Sequence, residues 1–303
     1  MRPLFLILLA SVFLQVDAQD LGVKKVNDEG PQSTDFTLLS KKRKNILLIS
    51  EASTYAISLI ALNQLWYADY PRSKFHFIND NGEWLQMDKM GHMSSSYYTG
   101  VAGIKAYEWA GFSRKQAIWY GGMTGSIFLT IVEYLDGTSK QWGASSGDLI
   151  ANTTGSFLAI GQALKWNEQK IQLKYSYSPT KWANMNPEQL GSTHLERALK
   201  DYNGQTYWIT FNIKSLLNIK YVNFPSWLSF ALGYGANAMI QPYGEEKDNV
   251  YRQYYASFDI DLNKIKTKSK IVNSLLYTFG FLKFPLPTVE FSNGNFLFHP
   301  IYY

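Results

Sequence analysis

The apolar segments between Ile46 and Trp166 constrain this chain most, because they carry polar residues at helical spacing where a plain bundle would carry none. No proline interrupts the stretch from Ile46 to Tyr67, which predicts a long first helix. A second is predicted from Met87 to Trp109, stopping at Gly111; a third from Ser113, a good N-cap, to Leu135; and a fourth from Ser146 to Trp166. Asp88 and His92 stand four apart, as do Asp148 and Asn152, so each pair shares a helix face. If the helices pack together, Asp88, His92, Glu133, Asp148 and Asn152 could face one another, as a site or as a polar structural knot. Small residues on the second helix (Gly91, Ser94, Ser95, Ser96, Gly100, Gly103) allow a close neighbour. The segments are near the roughly 20 residues that cross a bilayer, so a soluble or peripheral bundle and an inserted one both remain open.

The chain starts Met-Arg-Pro and continues with an apolar run of about a dozen residues. Val16-Asp17-Ala18 then fits a small-x-small cleavage site, so residues 1–18 read as a signal peptide and the protein as exported. Residues 19–45, with Lys24-Lys25 and Lys41-Lys42-Arg43-Lys44, read as a basic polar lead-in to a helical core over 46–170. No cysteine occurs, which removes disulfides, thiolate chemistry, cysteine-zinc sites and a lipidated N-terminal cysteine together. The net charge of +5 comes without a basic stripe, which argues against nucleic acid as a partner.

From residue 171 to 303 the period changes. Ile171–Ser178, Tyr207–Ile213 and Tyr254–Leu262 alternate with period two, and Trp227–Gly235 is a further strand candidate. The expected fold class is therefore α+β: about four helices, then an aromatic β-rich region, membrane-associated. Strands with aromatic rims are a pattern of outer-membrane β-structure, and an aromatic-rich soluble sheet is the alternative. Trp227, Phe230, Tyr234, Tyr302 and Tyr303 are the expected partner or membrane contacts.

The ordered set Asp88-Lys89-x-x-His92, Glu133 and Gly143-x-Ser145-x-x-Asp148-x-x-x-Asn152-x-x-Gly155 resembles the VanZ-like proteins. It is more similar still to the YfiM-like predicted periplasmic proteins, a family of unknown function. The resemblance covers residues 84–165 and implies a compact helical core with polar residues turned inward. YfiM-like proteins are described as lipoproteins, from which a chain without cysteine departs.

Asp88, His92, Glu133 and Asp148 are the candidates for catalytic or metal-ligating residues, as oxygen and nitrogen donors to a divalent cation or as a general acid and base. Buried carboxylates need compensation, and Lys89 with Asn152 would complete the polar cluster without a substrate. In that reading Asp148 stabilises the start of the fourth helix and Asp88 orients His92. The reading that follows is a bacterial envelope accessory or structural protein, a subunit of an outer-membrane-associated assembly in a Gram-negative envelope, with envelope proteins and membrane as partners. The alternative is an envelope enzyme or binding protein acting on a lipid or cell-wall molecule through the cluster. The sequence does not identify a cofactor or a small-molecule ligand.

Overall fold

The computed structural model of the chain describes residues 34–68, 70–243 and 249–302. The expected signal peptide over residues 1–18 lies outside the described residues, as does Tyr303. The described residues form two compact units: 79–94 join those from 165 onward, and 34–78 join 95–164. The fold is α+β, with helices first and an antiparallel sheet after them.

In the helical unit, α1 (Thr34–Leu62) passes into a π-helical turn, Asn63–Tyr67. It begins well before Ile46, so the second part of the basic lead-in is helical; lysine and arginine are good helix formers, and charge alone does not stop a helix. Helix α2 (Met87–Trp109) is followed by Gly111 at φ 84°, where glycine escapes the Cβ clash. Ser113 then caps the next helical stretch in a reciprocal box with Gln116. That stretch leads through a π-helical turn, Ala117–Gly121, into α3 (Gly122–Gly137). Short strands β1 (Phe77–Ile78) and β2 (Ala144–Ser145) pair in parallel, and β2 delivers the chain to α4 (Ser146–Trp166).

Leu62, Tyr67, Phe128, Leu129 and Val132 form one apolar core of this unit; Leu47, Tyr107, Ala110 and Ala117 form another. Between them α2 and α3 approach so closely that a Cβ on Gly125 would overlap the Ser96 carbonyl. Helix α4 turns Asn152, Gly155, Ser156, Ala159 and Ala163 inward while Ile150, Phe157 and Leu164 stay exposed. Among the described residues one helical segment, Ser40–Leu62, is long and apolar enough to cross a membrane. Ile46, Leu48, Ile49, Ile57 and Ile60 are exposed along it.

The other unit is built on six strands, β3 (Ile171–Tyr177), β4 (Gln205–Asn212), β5 (Leu228–Asn237), β6 (Tyr251–Ile260), β7 (Leu286–Ser292) and β8 (Asn295–Tyr302), each antiparallel to the next. The stretch Ser269–Phe284 forms helix α5 (Lys270–Thr278) and a 3₁₀ turn, Phe279–Phe281. The sheet is strongly curled, because side chains meet across its concave face from strands that are not neighbours. Lys174 on β3 reaches Asp259 on β6, and the Tyr302 hydroxyl on β8 lies 2.9 Å from Thr206 Oγ1 on β4.

That concave face is polar. Lys174 and Asp259, both fully buried, are paired at 2.5 Å, and Lys283 approaches Asp259 at 4.0 Å while lying over the Trp208 ring. Gln172 donates to Asp261 at 2.8 Å, and the Trp208 indole donates to Ser176 at 3.0 Å. Glu290 accepts from Gln253 and Ser292 and lies 2.7 Å from His299 Nε2. Tyr302, expected at a membrane or partner contact, belongs to this inner face: its ring packs on Tyr255 and Trp208. Plain alternation from His299 on the inner face would turn Tyr302 outward; the β-bulge near Leu286–Thr288 shifts the register of β8 and brings it in.

Candidate functional site

The sequence-predicted residues divide between the units: Asp88, Lys89 and His92 belong to the sheet unit, and Glu133, Asp148 and Asn152 to the helical one.

The turn Asn79–Gly82 and the segment Glu83–Gln86 lead into α2. Trp84, Leu85 and Gln86 take positive φ of 47°, 48° and 66°, a left-handed turn of three L-residues. Such residues cost roughly 1–2 kcal/mol each, so the conformation needs holding from outside. The sheet unit supplies that. Trp84 N–H donates to the Pro242 carbonyl at 2.8 Å, the Tyr234 hydroxyl donates to the Leu85 carbonyl, and Arg252 donates to Gln86 Oε1 at 2.6 Å. Tyr234, expected as a partner contact, is thus an internal tie.

This strained entry aims the first turn of α2. Lys89 Nζ pairs with Asp80 Oδ2 at 2.6 Å and lies 3.5 Å from Asp88 Oδ2, with lysine and Asp80 both buried. The Tyr202 hydroxyl donates to Asp88 Oδ1 at 2.8 Å, and His92 Nε2 sits 3.9 Å from the same oxygen, one helical turn on. Asp88 and His92 could offer one oxygen and one nitrogen to a cation, or hold a proton between them. Lys89 compensates charge, and its shortest partner is Asp80. Tyr202 lies 114 residues from Asp88, and no local pattern points to it.

In the helical unit Glu133 is buried near the end of α3, where its Oε2 accepts from Ser145 N–H at 2.8 Å. Ser145 Oγ in turn accepts from Asp148 N–H at 3.2 Å, the N-cap bond of α4. One carboxylate and one hydroxyl therefore tie the end of α3 to the start of α4. Asp148 sits in the first turn of α4, where a negative charge meets the positive end of the helix dipole. One turn on, the Asn152 carbonyl accepts from Ser96 Oγ at 2.5 Å; that hydroxyl lies 2.9 Å from Ser156 Oγ, which accepts from Ser126 N–H. This serine chain links α2, α3 and α4. Asp136 is buried in α3 and accepts from the Tyr67 hydroxyl at 2.9 Å.

What these groups do chemically in the helical unit is bond main chain. The Ser145 and Asp148 amides lie at a helix start, beyond the reach of an intrahelical carbonyl, and Glu133 and Ser145 are their acceptors. The same serines that admit a close helix contact also supply the hydroxyls that satisfy it.

No curated protein and no solved structure matches the chain. Residues 76–162, under a third of the chain, match the family model described as a predicted periplasmic lipoprotein (DUF2279), which with the apolar N-terminal stretch of the sequence fits export to the cell envelope.

Proposed function

We propose that this protein is a structural or accessory component of a bacterial envelope assembly, associated with the outer membrane. The observation that carries this reading is the use of Glu133: its buried carboxylate accepts the Ser145 amide at 2.8 Å, and Ser145 caps α4. A carboxylate committed to a main-chain donor at a helix start stabilises the fold, and the serine chain around Asn152 has the same character. Envelope location is supported by the match over residues 76–162. The family description names a lipoprotein, whereas none of these 303 residues is a cysteine.

Affinity purification of the tagged protein from separated, detergent-solubilised membranes tests the reading. Stoichiometric partners in the outer-membrane fraction are expected. Glu133→Gln should lower stability and partner recovery together. A solitary protein whose Glu133→Gln variant keeps its abundance and stability but loses a cellular phenotype would refute the structural role and favour an acid/base or binding site.

A further inference from the structure

The sheet is inside out by the standard of water-soluble proteins. Its concave face buries Lys174, Asp259, Lys283 and Glu290, while its convex face presents apolar side chains outward. Over β3 and β4 that convex face is covered: Tyr175 and Tyr207 are buried, and the Tyr175 hydroxyl donates to the Ala198 carbonyl. Over β5 to β8 it is open, and there the register aligns exposed residues in level rows. Tyr254, Phe291 and Phe296 form one row beside Tyr234. Leu232, Ala256, Val289 and Phe298 form the next, and Phe230 with Phe258 a third, with Leu228 opposite Ile260 beyond it. Exposure along the rows is high, at 53% for Phe258 and 74% for Phe296.

Two features select the occupant of this face. The rows run aromatic, then largely aliphatic, then aromatic along the strands. From Tyr254 to Ile260 the apolar face extends about 20 Å at the usual strand rise, close to the roughly 25 Å apolar band of outer-membrane barrels. The strands that carry it, β5 and β6, are 10 residues each, the length that suits a tilted strand in a bilayer. The second feature lies at the sheet end where β6 leaves and β7 begins. Helix α5 and the 3₁₀ turn after it expose Ile271, Leu275 and Phe279 along one stripe there, beside the exposed Lys266, Lys268 and Lys270. An apolar helical stripe beside clustered lysines suits a layer of acyl chains capped by anionic phosphates.

We infer that the convex face of β5–β8 and the apolar stripe of α5 lie against lipid acyl chains, with Lys266, Lys268 and Lys270 at headgroup phosphates. The inference rests on the envelope location proposed above but not on the assembly. It makes the polar concave face intelligible: with acyl chains outside, the sheet interior is the place where charge can be paired and hydrogen-bonded.

Because the chain has no cysteine, single cysteines can be introduced cleanly. The full chain carrying Phe230→Cys, Leu232→Cys, Phe258→Cys or Val289→Cys, with Thr267→Cys for contrast, would be nitroxide-labelled and reconstituted into vesicles of phosphatidylethanolamine and phosphatidylglycerol. Collision with oxygen, which partitions into lipid, is compared with collision with a nickel chelate, which stays in water. An oxygen-to-nickel ratio several-fold higher at the four face positions than at Thr267 is expected. Failure to float with the vesicles, or nickel access at the face equal to that at Thr267, overturns the inference. Protection from both reagents would mean a protein cover, a second copy or a partner, and overturns it too. Partners recovered without lipid contact would leave the assembly reading standing and remove this one; lipid contact in a solitary protein would do the reverse.

Discussion

Asp259 is where the sheet interior is most sensitive. Its carboxylate holds Lys174 at 2.5 Å and Lys283 at 4.0 Å, and accepts Phe284 N–H at 2.9 Å, with no exposure of its own. Breaking a buried pair by removing one partner costs about 3–5 kcal/mol, mostly because the other charge is left uncompensated. Asp259→Asn strands two buried cations, so we expect a loss of about 4 kcal/mol, a factor of roughly 10³ in the folding equilibrium. Lys174→Met is different: Asp259 keeps Lys283 and the Phe284 amide. Since attraction falls with the inverse of distance, Lys283 supplies about six-tenths of what Lys174 does, and the expected loss is roughly 2 kcal/mol. Replacing both, as Lys174→Met with Asp259→Leu, leaves one stranded cation, Lys283, where Asp259→Asn leaves two, and should cost less than Asp259→Asn alone. Guanidinium unfolding of the detergent-solubilised protein, followed by far-ultraviolet circular dichroism, measures all three. Asp259→Asn milder than Lys174→Met, or the double variant worse than either, would refute the account of the network.

In the helical unit, Gly125→Ala should lose about 1–3 kcal/mol by pushing α2 and α3 apart, whereas Gly161→Ala, whose Cβ would meet nothing within 4 Å, should gain about 0.5–1 kcal/mol of helix propensity; paired thermal melts decide. Ser145→Ala removes the cap of α4 and should lower stability by about 1 kcal/mol, with amide exchange quickening first at the start of that helix. Burial pushes the Lys283 ammonium down to about 8 from its ordinary 10.5, against the pull of Asp259. Between those values the unfolded chain holds more protons than the folded one, so unfolding free energy should rise with pH over that window, and Lys283→Met should flatten the rise in denaturant titrations. Tyr234→Phe removes the donor to Leu85 and should cost about 1 kcal/mol, read as faster proteolysis around the left-handed turn.

Much of the element map was legible because periodicity is local. The end of α2 and the start of α4 are written in Gly111 and Ser145, and period-two alternation marks β3, β4 and β6. The candidate site was half legible. The spacing of Asp88 and His92 put them on one helix face, where they are found, but their setting depends on Asp80 and Tyr202, and the left-handed turn before them depends on Tyr234, Arg252 and Pro242. Left-handed φ at Trp84, Leu85 and Gln86 goes against every local preference of those residues, so only distant contacts could impose it.

The amino-acid order by itself determined which residues lie on the same face of each helix and strand, since that follows from 3.6 and 2.0 residues per repeat. It could not determine which face of a strand is inside. Alternation is symmetric under exchange of its two faces, and the choice was made by curling: Lys174 and Asp259, 85 positions apart, close on each other across β3 to β6, and Tyr302 closes on Thr206. Once those polar groups had found partners on the concave side, Phe230, Phe258, Val289 and Phe296 were left facing out.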